Sequence, residues 1–331
     1  MNSFGTIFRI HVYGESHGPS VGVIIDGCPP GVSLKAGDLK SDLDRRKPLP
    51  KGTTERKETD IPNIKSGVFN GKTTGSPILI EFANENTLSG DYEKFRSVPR
   101  PGQADFAAGV KSGGFNDHRG GGHFSARLTL GIVAAGVVAK KILKGIKIHA
   151  ELVRAGGSDD IDESVRKAVK EGDSIGGIIE CGIDCFPAGL GEPFFNSLES
   201  VISHIVFSIP SVKGIEFGKG FASADMKGSE YNDRIVDTSG RTSTNSCGGI
   251  TGGLSNGNRV YFRTAMRPPS SISKPQKALN LKTGEPEMLE IQGRHDVCPA
   301  LRSSVIVEAA SAIAVCDLYL ISKCMVIKKK N

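Results

Sequence analysis

Three short polar motifs in this sequence carry side chains that can move protons or hold an anion. The first, GESHG, places Glu15, Ser16 and His17 between two glycines at the end of an apolar run. Tight turns at strand ends commonly display reacting groups, so His17 is a candidate acid or base. The alternative is a structural histidine whose ring bonds to nearby backbone, although the flanking glutamate and serine favour the first interpretation.

The second motif, RGGGHFSARLT at residues 119–129, has the composition of an anion-binding loop. Its three consecutive glycines can adopt positive φ and let a ligand approach the backbone closely. Ser125 can cap a helix that begins near residue 126, so that free N–H groups and the positive end of the helix dipole face the loop. Arg119 and Arg127 add charges that suit phosphate or carboxylate groups. A loose hinge that binds nothing is the alternative.

The third motif, GRHDVC, places Arg294, His295 and Asp296 next to one another just before an apolar segment. A positive neighbour would keep Asp296 ionised, and an ionised carboxylate in a cleft can act as a base. A structural ion pair between Arg294 and Asp296 is the alternative. Two further segments, CGGITGG and RPPSSIS, combine glycines, serines and an arginine and could form a second phosphate cradle.

The composition favours a soluble, cytoplasmic protein. The chain has 331 residues, of which 38 % are hydrophobic, enough for one large domain or two moderate ones. Its seven cysteines show no CxxC spacing, which is typical of a reducing compartment and predicts neither a disulfide framework nor a metal site. We expect no signal peptide and no membrane span, because the longest uncharged apolar stretch, residues 128–139, is too short to cross a bilayer.

The charge pattern favours an anionic small molecule over nucleic acid as the ligand. The net charge is +6, and the basic residues alternate with acidic ones. With no tryptophan and 6 % aromatic residues, the chain has little surface on which bases could stack. Basic residues do cluster over residues 45–57, where they could steer an acidic substrate. A nucleic-acid-binding protein that uses these basic loops is a weaker alternative.

Hydrophobic periodicity predicts alternating strands and helices with no linker between them. Strands are predicted over residues 4–14, 21–25, 76–82, 146–153, 177–183 and 259–266, helices over residues 39–46, 128–143, 162–171, 197–208 and 304–321, and an irregular connection over residues 92–109. The helices at 128–143 and 304–321 are apolar nearly all round, so each must be covered on both sides. We therefore predict one α+β domain, residues 1–331, with an inner layer of helices between sheets.

Taken together and in order, these motifs resemble those of chorismate synthases. The similar blocks are GESHG, DRRK, SGVFNGKTTGSPI, RPGQAD, RGGGHFSARLT, GGITGG, RPPSSI and GRHDVC, and they extend over almost the whole chain. The resemblance implies a β-α-β sandwich with inner helices, assembled as a homotetramer. It also implies a lyase of the shikimate pathway, in aromatic amino-acid biosynthesis, that uses reduced FMN to convert 5-enolpyruvylshikimate 3-phosphate into chorismate by 1,4-elimination of phosphate. NADPH would serve only to reduce the flavin.

The resemblance also implies roles for individual residues of this chain. The positions that match catalytic residues are His17, Asp296 and Gln103. The positions that match substrate-binding arginines are Arg45, Arg100, Arg127 and Arg294. The positions that match flavin-binding residues are His123, Phe124, Ser125, Pro210, Ser211, Gly252, Arg267, Pro268, Pro269, Ser270, Ser271 and Arg294. Arg46 and Lys51 fall where the family is credited with contacting NADPH.

Five positions depart from the usual family motifs. Gln103 replaces the histidine of RPGHAD, Val297 replaces the proline of GRHDPC, and His123, Phe124 and Leu128 replace an arginine, a serine and a glutamate of GGGRSSARET. An amide forms hydrogen bonds but carries no proton, so water or a neighbour such as His123 would have to take over any transfer at residue 103. Two interpretations stay open: an active chorismate synthase, and a weakened paralogue that binds flavin or a phosphorylated acid without efficient turnover.

Overall fold

The N-terminal part of the chain forms an antiparallel sheet with one deeply buried face. The computed structural model describes residues 2–48, 52–53, 58–87, 90–291 and 295–325. The first strands are β1 (Ser3–Phe4), β2 (Arg9–Gly14), β3 (Ser20–Asp26), β4 (Asn63–Ile64), β5 (Val68–Phe69), β6 (Lys72–Thr73) and β7 (Ile78–Ala83). The sheet has the order β1-β2-β3-β7-β4, and β5 and β6 form a separate hairpin. Val23 pairs with Ile80, and both side chains are fully buried, as the alternating pattern of these strands predicts.

The first predicted strand is interrupted between β1 and β2. Gly5 has a φ of 100°, and a Cβ at this position would lie 2.1 Å from the carbonyl oxygen of Phe8. The carboxylate of Asp317 accepts hydrogen bonds from the N–H groups of Thr6, Ile7 and Phe8 at 2.8, 2.7 and 2.9 Å. The chain therefore turns around a buried carboxylate at this point instead of continuing as one strand.

A second antiparallel sheet covers the other side of the helical layer. Its strands are β8 (Lys147–Ala155), β9 (Gly177–Asp184), β10 (Val212–Phe217) and, after a hairpin of β11 (Ile250–Thr251) and β12 (Leu254–Ser255), β13 (Val260–Met266). Their order is β10-β13-β9-β8. Cys181 of β9 is fully buried, and its Sγ lies 3.5 Å from Oγ of Ser311 in the last helix.

The inner layer consists of two apolar helices that pack against each other. These two are α3 (Thr129–Ile142) and α7 (Ser304–Met325). The other helices of the described residues are α1 (Lys40–Arg46), α2 (Asp105–Ser112), α4 (Ile161–Glu171), α5 (Leu198–Val206) and α6 (Gly228–Tyr231). All residues of α3 from 129 to 139 and all residues of α7 from 305 to 318 are buried. Helix α3 packs on β2, β3 and β7, whereas α7 packs on β8 and β9. The predicted layer of helices between sheets is confirmed.

The inner layer bears on two questions: whether α7 could span a membrane, and whether the chain forms one domain. Helix α7 has the length and composition of a membrane-spanning helix, but 78 % of its most apolar window is buried inside the structure. One cluster of buried apolar side chains includes residues of both sheets and both inner helices. Such continuity is expected of one domain over residues 1–331, which stays a prediction.

The connection predicted over residues 92–109 is more regular than expected. A 3₁₀ segment at Gly90–Arg96 and helix α2 occupy most of it. Phe95 and Val98 pack on a hairpin of β14 (Gln276–Leu279) and β15 (Pro286–Leu289), where they form a second, smaller apolar cluster. The stretch RPGQAD follows directly, so this cluster determines where the stretch lies.

The substitution Gly136→Ala tests the close contact between α3 and α7. A Cβ at residue 136 would lie 2.4 Å from Cβ of Ala309 and 2.6 Å from its Cα. Overpacking of a tight core contact costs about 1–3 kcal/mol, and the free energy of unfolding should fall by that amount in urea denaturation.

Gly109→Ala is the matched control, because Gly109 lies within α2 and a Cβ there would meet no atom within 4 Å. Alanine is favoured over glycine inside a helix by about 0.5–1 kcal/mol, so this variant should be slightly more stable than the parent chain. An equal loss of stability in both variants would show that the contact with Ala309 is not tight.

Candidate active site

A cavity of about 1090 Å³ opens beside the N-terminal end of α3 and the 3₁₀ turn Pro299–Arg302 that precedes α7. Segments far apart in the sequence form its wall. The predicted site residues in that wall are Arg46, Arg100, Gln103, His123, Phe124, Ser125, Arg127, Pro210, Ser211, Arg267, Pro269, Ser270, Ser271 and Asp296. Folding therefore collects around one cavity most of the residues that the sequence motifs indicated.

The glycine loop, residues 119–125, packs on the GESHG turn. The N–H of Ser16 donates to the carbonyl oxygen of Gly122 at 3.1 Å, and Nδ1 of His123 donates to the carbonyl oxygen of Gly14 at 2.8 Å. The glycines at 120–122 have φ values of 60°, 78° and 53°, the left-handed region expected from the sequence. The two motifs thus form one wall of the cavity.

His17 lies beside this wall rather than in the cavity lining. A Cβ on Gly120 would lie 2.4 Å from Cδ2 and 2.6 Å from Nε2 of His17, so only glycine fits there. The ring of Tyr92 stands edge-on to the imidazole, with 5.2 Å between centroids and an angle of 86° between planes. Ser16, Tyr92 and Gly120 all line the cavity. His17 is therefore held between loop backbone and an aromatic ring, next to the cavity.

The helix predicted to begin near residue 126 starts with a 3₁₀ turn, Ala126–Leu128, that leads into α3. Oγ of Ser125 accepts a hydrogen bond from the N–H of Arg127 at 3.3 Å, and Ser125 has the extended backbone that is usual for a capping residue. The predicted cap is confirmed. Because the N-terminal end of α3 lies at the cavity, its dipole favours a bound anion.

Arg127 is buried in the cavity wall, and carboxylates compensate its charge. Its side chain donates to Asp60 at 3.0 Å, to the carbonyl oxygen of Ala83 at 3.0 Å and to the amide oxygen of Asn84. Glu58 lies 3.9 Å away, and Arg127 is 7 % exposed. Arg127 thus has a structural function as well as a place in the cavity.

Arg100 is also paired with a carboxylate. Its Nε and Nη2 donate to the two carboxylate oxygens of Asp105, both at 2.8 Å. The guanidinium lies 4.6 Å from the ring centroid of Phe95, and Nη1 is 3.4 Å from Oγ of Ser271. These contacts hold Arg100 in one orientation between the small apolar cluster and the cavity.

Asp296 pairs with Arg302, a residue that the sequence motifs did not single out. Nε and Nη2 of Arg302 donate to the carboxylate at 3.1 and 2.7 Å. Both side chains are largely buried. Arg294, the ion-pair partner suggested by the sequence, lies outside the described residues.

Arg46 lies close to Arg302 and is buried under the start of α3. It donates to Oγ1 of Thr129 and to the carbonyl oxygen of Ala126, both at 3.0 Å. Burial and the like charges of Arg302 and Arg127 lower the pKa of Arg46 to about 9, so Arg46 is still charged at neutral pH.

Arg267 differs from the other arginines of the described cavity wall, because no described carboxylate lies within 4 Å of it. Its guanidinium donates to the carbonyl oxygens of Pro268 and Gly102 at 2.8 and 3.1 Å and to Oγ of Ser270 at 2.8 Å. All three acceptors are neutral, so the full positive charge of Arg267 remains available to an anion in the cavity.

Arg45 does not line the cavity. Its guanidinium donates to both carboxylate oxygens of Glu308 at 3.0 and 2.9 Å, and Lys140 also bonds to Glu308. Burial raises the pKa of Glu308, but the two cations outweigh burial, and the net pKa lies below its ordinary value. The position of Arg45, bonded to Glu308 outside the cavity lining, therefore gives no support to the predicted contact between Arg45 and the substrate.

Four other expected positions are not in the described wall. Gly252 lies in the turn between β11 and β12, and Pro268 contributes its carbonyl oxygen to Arg267 without lining the cavity. Arg294 and Lys51 lie outside the described residues.

Sequence reasoning missed three residues that shape the site: Asp60, Tyr92 and Arg302. Asp60 and Tyr92 act through contacts across the fold, to Arg127 and His17, whereas Arg302 contacts Asp296 only six residues earlier. Asp60 ends the charged stretch ERKETD and Tyr92 begins the irregular connection predicted over residues 92–109, but neither pattern indicates which side chain these residues contact.

Comparisons by sequence and by fold agree on one family. A family model described as chorismate synthase matches residues 8–320. A curated chorismate synthase from Chitinophaga pinensis is 57 % identical over 98 % of both chains. Those of Dehalococcoides mccartyi and Thermococcus kodakarensis are 42 % and 41 % identical, over 96 % and 95 % of this chain and 96 % of each relative. A crystal structure of chorismate synthase superposes with a TM-score of 0.74 at 26 % identity, covering 96 % of this chain and 93 % of that one. The chain belongs to the chorismate synthase family.

Members of the chorismate synthase family are lyases that act on a small molecule and use a flavin, and the cavity wall fits such a cofactor. Phe124, whose side chain is half exposed, gives the wall an apolar surface. A Cβ on Gly121 would meet no atom within 4 Å, so the loop backbone there is open to a ligand. Arg267 and Ser270 add a charge and a hydroxyl suited to a flavin phosphate.

Gly120→Ala tests whether the glycine loop positions His17. We expect alanine at residue 120 to displace the imidazole, because its Cβ would overlap Cδ2 and Nε2. The displacement should change the NMR signals of the His17 ring. The melting temperature should also fall, since φ of 60° costs a non-glycine residue about 1–2 kcal/mol.

Gly121→Ala is the matched control, with φ of 78° and open space around its Cβ position. It should lose similar backbone stability but leave the His17 signals unchanged. Identical His17 spectra in the two variants would mean that Gly120 does not position this ring.

Proposed function

We propose that this chain eliminates phosphate from 5-enolpyruvylshikimate 3-phosphate to give chorismate, with reduced FMN bound in the cavity. The proposal is carried by the family match over residues 8–320 together with one cavity that brings His123, Arg267 and Asp296 together. In this reaction the C–O bond to phosphate and one ring C–H bond break. The C–H electron pair forms one ring double bond, the existing ring double bond shifts to the carbon that loses phosphate, phosphate leaves with the C–O pair, and one proton is released.

Positive charge supports a substrate that has one phosphate and two carboxylates. Arg267 has only neutral partners among the described residues, and the N-terminal end of α3 adds a partial positive charge. Arg46, Arg100 and Arg127 line the same cavity but are already paired or buried. We therefore propose that Arg267 and the N-terminal end of α3 bind the anion directly. The paired arginines add a fixed positive potential to the cavity.

His17 is proposed to act on the leaving phosphate. The phosphate oxygens gain charge as the C–O bond breaks, and a hydrogen-bond donor beside them stabilises the transition state. The backbone of Gly120 and the ring of Tyr92 hold His17 in place at the edge of the cavity. A ring held in this way loses little conformational freedom when it donates.

Asp296 is proposed to assist the removal of the proton from the substrate ring. The two hydrogen bonds from Arg302 hold its carboxylate in one orientation in the cavity wall. Reduced FMN, when bound, would lend electron density to the substrate ring while phosphate leaves. The residues proposed to hold it are His123 to Ser125, Pro210, Ser211 and Arg267 to Ser271.

NADPH is not part of this proposal. Arg46, one of two residues expected to contact NADPH, is 4 % exposed and donates to Thr129 and Ala126. Arg46 borders the cavity, but its guanidinium is almost fully buried and leaves little surface for a second nucleotide. We propose that the flavin is bound already reduced.

We also propose a cytoplasmic homotetramer that binds neither nucleic acid nor membrane. Exposed aromatic side chains that adjoin one another, such as Phe194 and Phe195, support association, because contiguous exposed apolar surface marks interaction sites. Phe115 and Phe221 are further exposed aromatic side chains.

An anaerobic assay with reduced FMN and the enolpyruvyl phosphate tests the proposed reaction. We expect phosphate release and chorismate absorbance to rise together in equal amounts, because one elimination yields one of each. Binding of both ligands without either product would support the weakened paralogue. Phosphate release without chorismate would indicate a different reaction.

Arg267→Gln tests the arginine whose partners among the described residues are all neutral. A charge-assisted hydrogen bond contributes about 1.5–3 kcal/mol, so calorimetric titration should show affinity for FMN or for the substrate weakened by roughly 10-fold or more. Arg263→Gln is the control, because Arg263 lies on β13, bonds to Glu180 at 3.1 Å and does not line the cavity. Unchanged affinities in Arg267→Gln, or equal losses in both variants, would remove Arg267 from the site.

A further inference from the structure

Asn84 directly follows β7 and does not line the cavity, yet its side chain contacts two segments that do. Nδ2 of Asn84 donates to the carbonyl oxygens of Glu15 and Gly18, at 3.0 and 2.7 Å. Oδ1 of Asn84 accepts a hydrogen bond from Nε of Arg127. One carboxamide therefore joins Arg127, in the 3₁₀ turn that leads into α3, to the GESHG turn.

The orientation of this carboxamide is determined by its partners. A guanidinium only donates and a carbonyl oxygen only accepts, so Oδ1 must face Arg127 and Nδ2 must face the GESHG turn. The reverse orientation would set donor against donor at Arg127 and acceptor against acceptor at Glu15 and Gly18. Both hydrogens of Nδ2 are used, one for each carbonyl oxygen. Asn84 is therefore a link with a defined direction.

The two carbonyl groups that Asn84 holds lie on either side of His17. The N–H of Gly18 donates to the carbonyl oxygen of Glu15 at 3.1 Å, which closes a four-residue turn with His17 as its third residue. The N–H of Asn84 donates to the carbonyl oxygen of Pro19, also at 3.1 Å. The turn that carries His17 is thus held to the end of β7 by three hydrogen bonds from Asn84.

The proposed function needs the donor on the leaving phosphate to lie at a fixed distance from the bound anion. The N-terminal end of α3 favours an anion, and His17 is assigned to the leaving phosphate. Gly120 and Tyr92 restrain the imidazole ring, whereas Asn84 restrains the backbone that carries the ring. Because Arg127 is buried and belongs to the turn that leads into α3, a bond to Arg127 ties His17 to the start of that helix.

We propose that Asn84 is a positioning residue for the elimination, whose carboxamide sets the distance between His17 and the start of α3. This inference rests on the proposed function. Asn84 lies outside the cavity lining, so it acts through the turn and not on the substrate. Displacement of a donor by about 1 Å can lower a rate by as much as ~10²-fold. The loss falls on kcat, because the phosphate oxygens gain charge only as the C–O bond breaks.

Asn84→Asp and Asn84→Ala remove the link in different ways. At neutral pH the aspartate still accepts from Arg127 but offers no proton to the two carbonyl oxygens, whereas the alanine removes both contacts. Anaerobic assays with reduced FMN should show kcat lowered about tenfold or more in both variants, with KM for the enolpyruvyl phosphate within about threefold of the parent value.

Asn258→Asp and Asn258→Ala are the matched controls. Nδ2 of Asn258 donates to the carbonyl oxygen of Gly240 at 3.2 Å, and its Oδ1 accepts from the N–H of Thr242 at 3.1 Å. This carboxamide also holds a loop, but Asn258 does not line the cavity, so its variants should lose similar stability and keep kcat within about threefold. Equal losses of kcat in both pairs, an unchanged kcat in the Asn84 variants, or a loss confined to KM overturns the inference.

The position of His17 can also be followed without turnover. In the ligand-free chain, the NMR signals of the His17 ring should move in Asn84→Ala and stay unchanged in Asn258→Ala, and unmoved signals in Asn84→Ala overturn the inference. If Asn84→Ala does not fold, Asn84→Asp, which keeps the bond to Arg127, takes its place in both measurements. A parent chain that forms no chorismate overturns the proposed function instead, and the spectra still show whether Asn84 positions His17.

Discussion

Helices α3 and α7 have no polar face, and the close contact between them determines where both the sheets and the site can lie. Gly136 lets α3 approach the backbone of Ala309 so closely that a single added carbon would overlap it. With each helix covered by its own sheet, the polar segments that adjoin the two helices lie at their ends, although Glu308 and Asp317 are buried within α7. The glycine loop precedes α3, and the turn that carries Arg302 precedes α7. The cavity therefore forms where the polar segments preceding these two buried helices meet.

Charge compensation inside the cavity wall is the second constraint. Removing a guanidinium from water costs several kcal/mol unless carboxylates and hydrogen bonds replace the lost hydration. Asp60 and Asp105 compensate Arg127 and Arg100 in this way. A polyanionic substrate thus meets guanidinium groups that already have partners, and the attraction comes from oriented donors and from Arg267, whose described partners are all neutral. Such preorganised donors need little rearrangement as charge moves during a reaction.

Local patterns predicted the apolar helices, most strands, the glycine loop and its cap, because each depends on residues close in sequence. The patterns failed where a tertiary contact determines the position or the partner of a side chain. Arg45 and Arg46 are adjacent on α1, and neighbouring residues of a helix point about 100° apart, so Arg45 reaches Glu308 and Arg46 reaches Thr129. Spacing alone could not show which of them faces the cavity. The partner of Asp296 was likewise hidden, since Arg302 reaches it only through the 3₁₀ turn before α7.

The backbone hydrogen bond between the glycine loop and the GESHG turn explains how one family could vary the chemistry of the cavity wall. Ser16 and Gly122 meet through backbone atoms alone, and the positive φ values of the glycines do not depend on the next side chain. Residue 123 can therefore change from the arginine usual in the family to histidine while the loop keeps its path. In this chain Nδ1 of the imidazole donates to the carbonyl oxygen of Gly14, and no residue in the described part of the chain bonds to Nε2. A guanidinium at the same position would supply charge but no lone pair, whereas histidine supplies a lone pair in a wall where Gln103 offers only an amide. The two departures from the family pattern are thus complementary: as residue 103 loses an imidazole, residue 123 gains one.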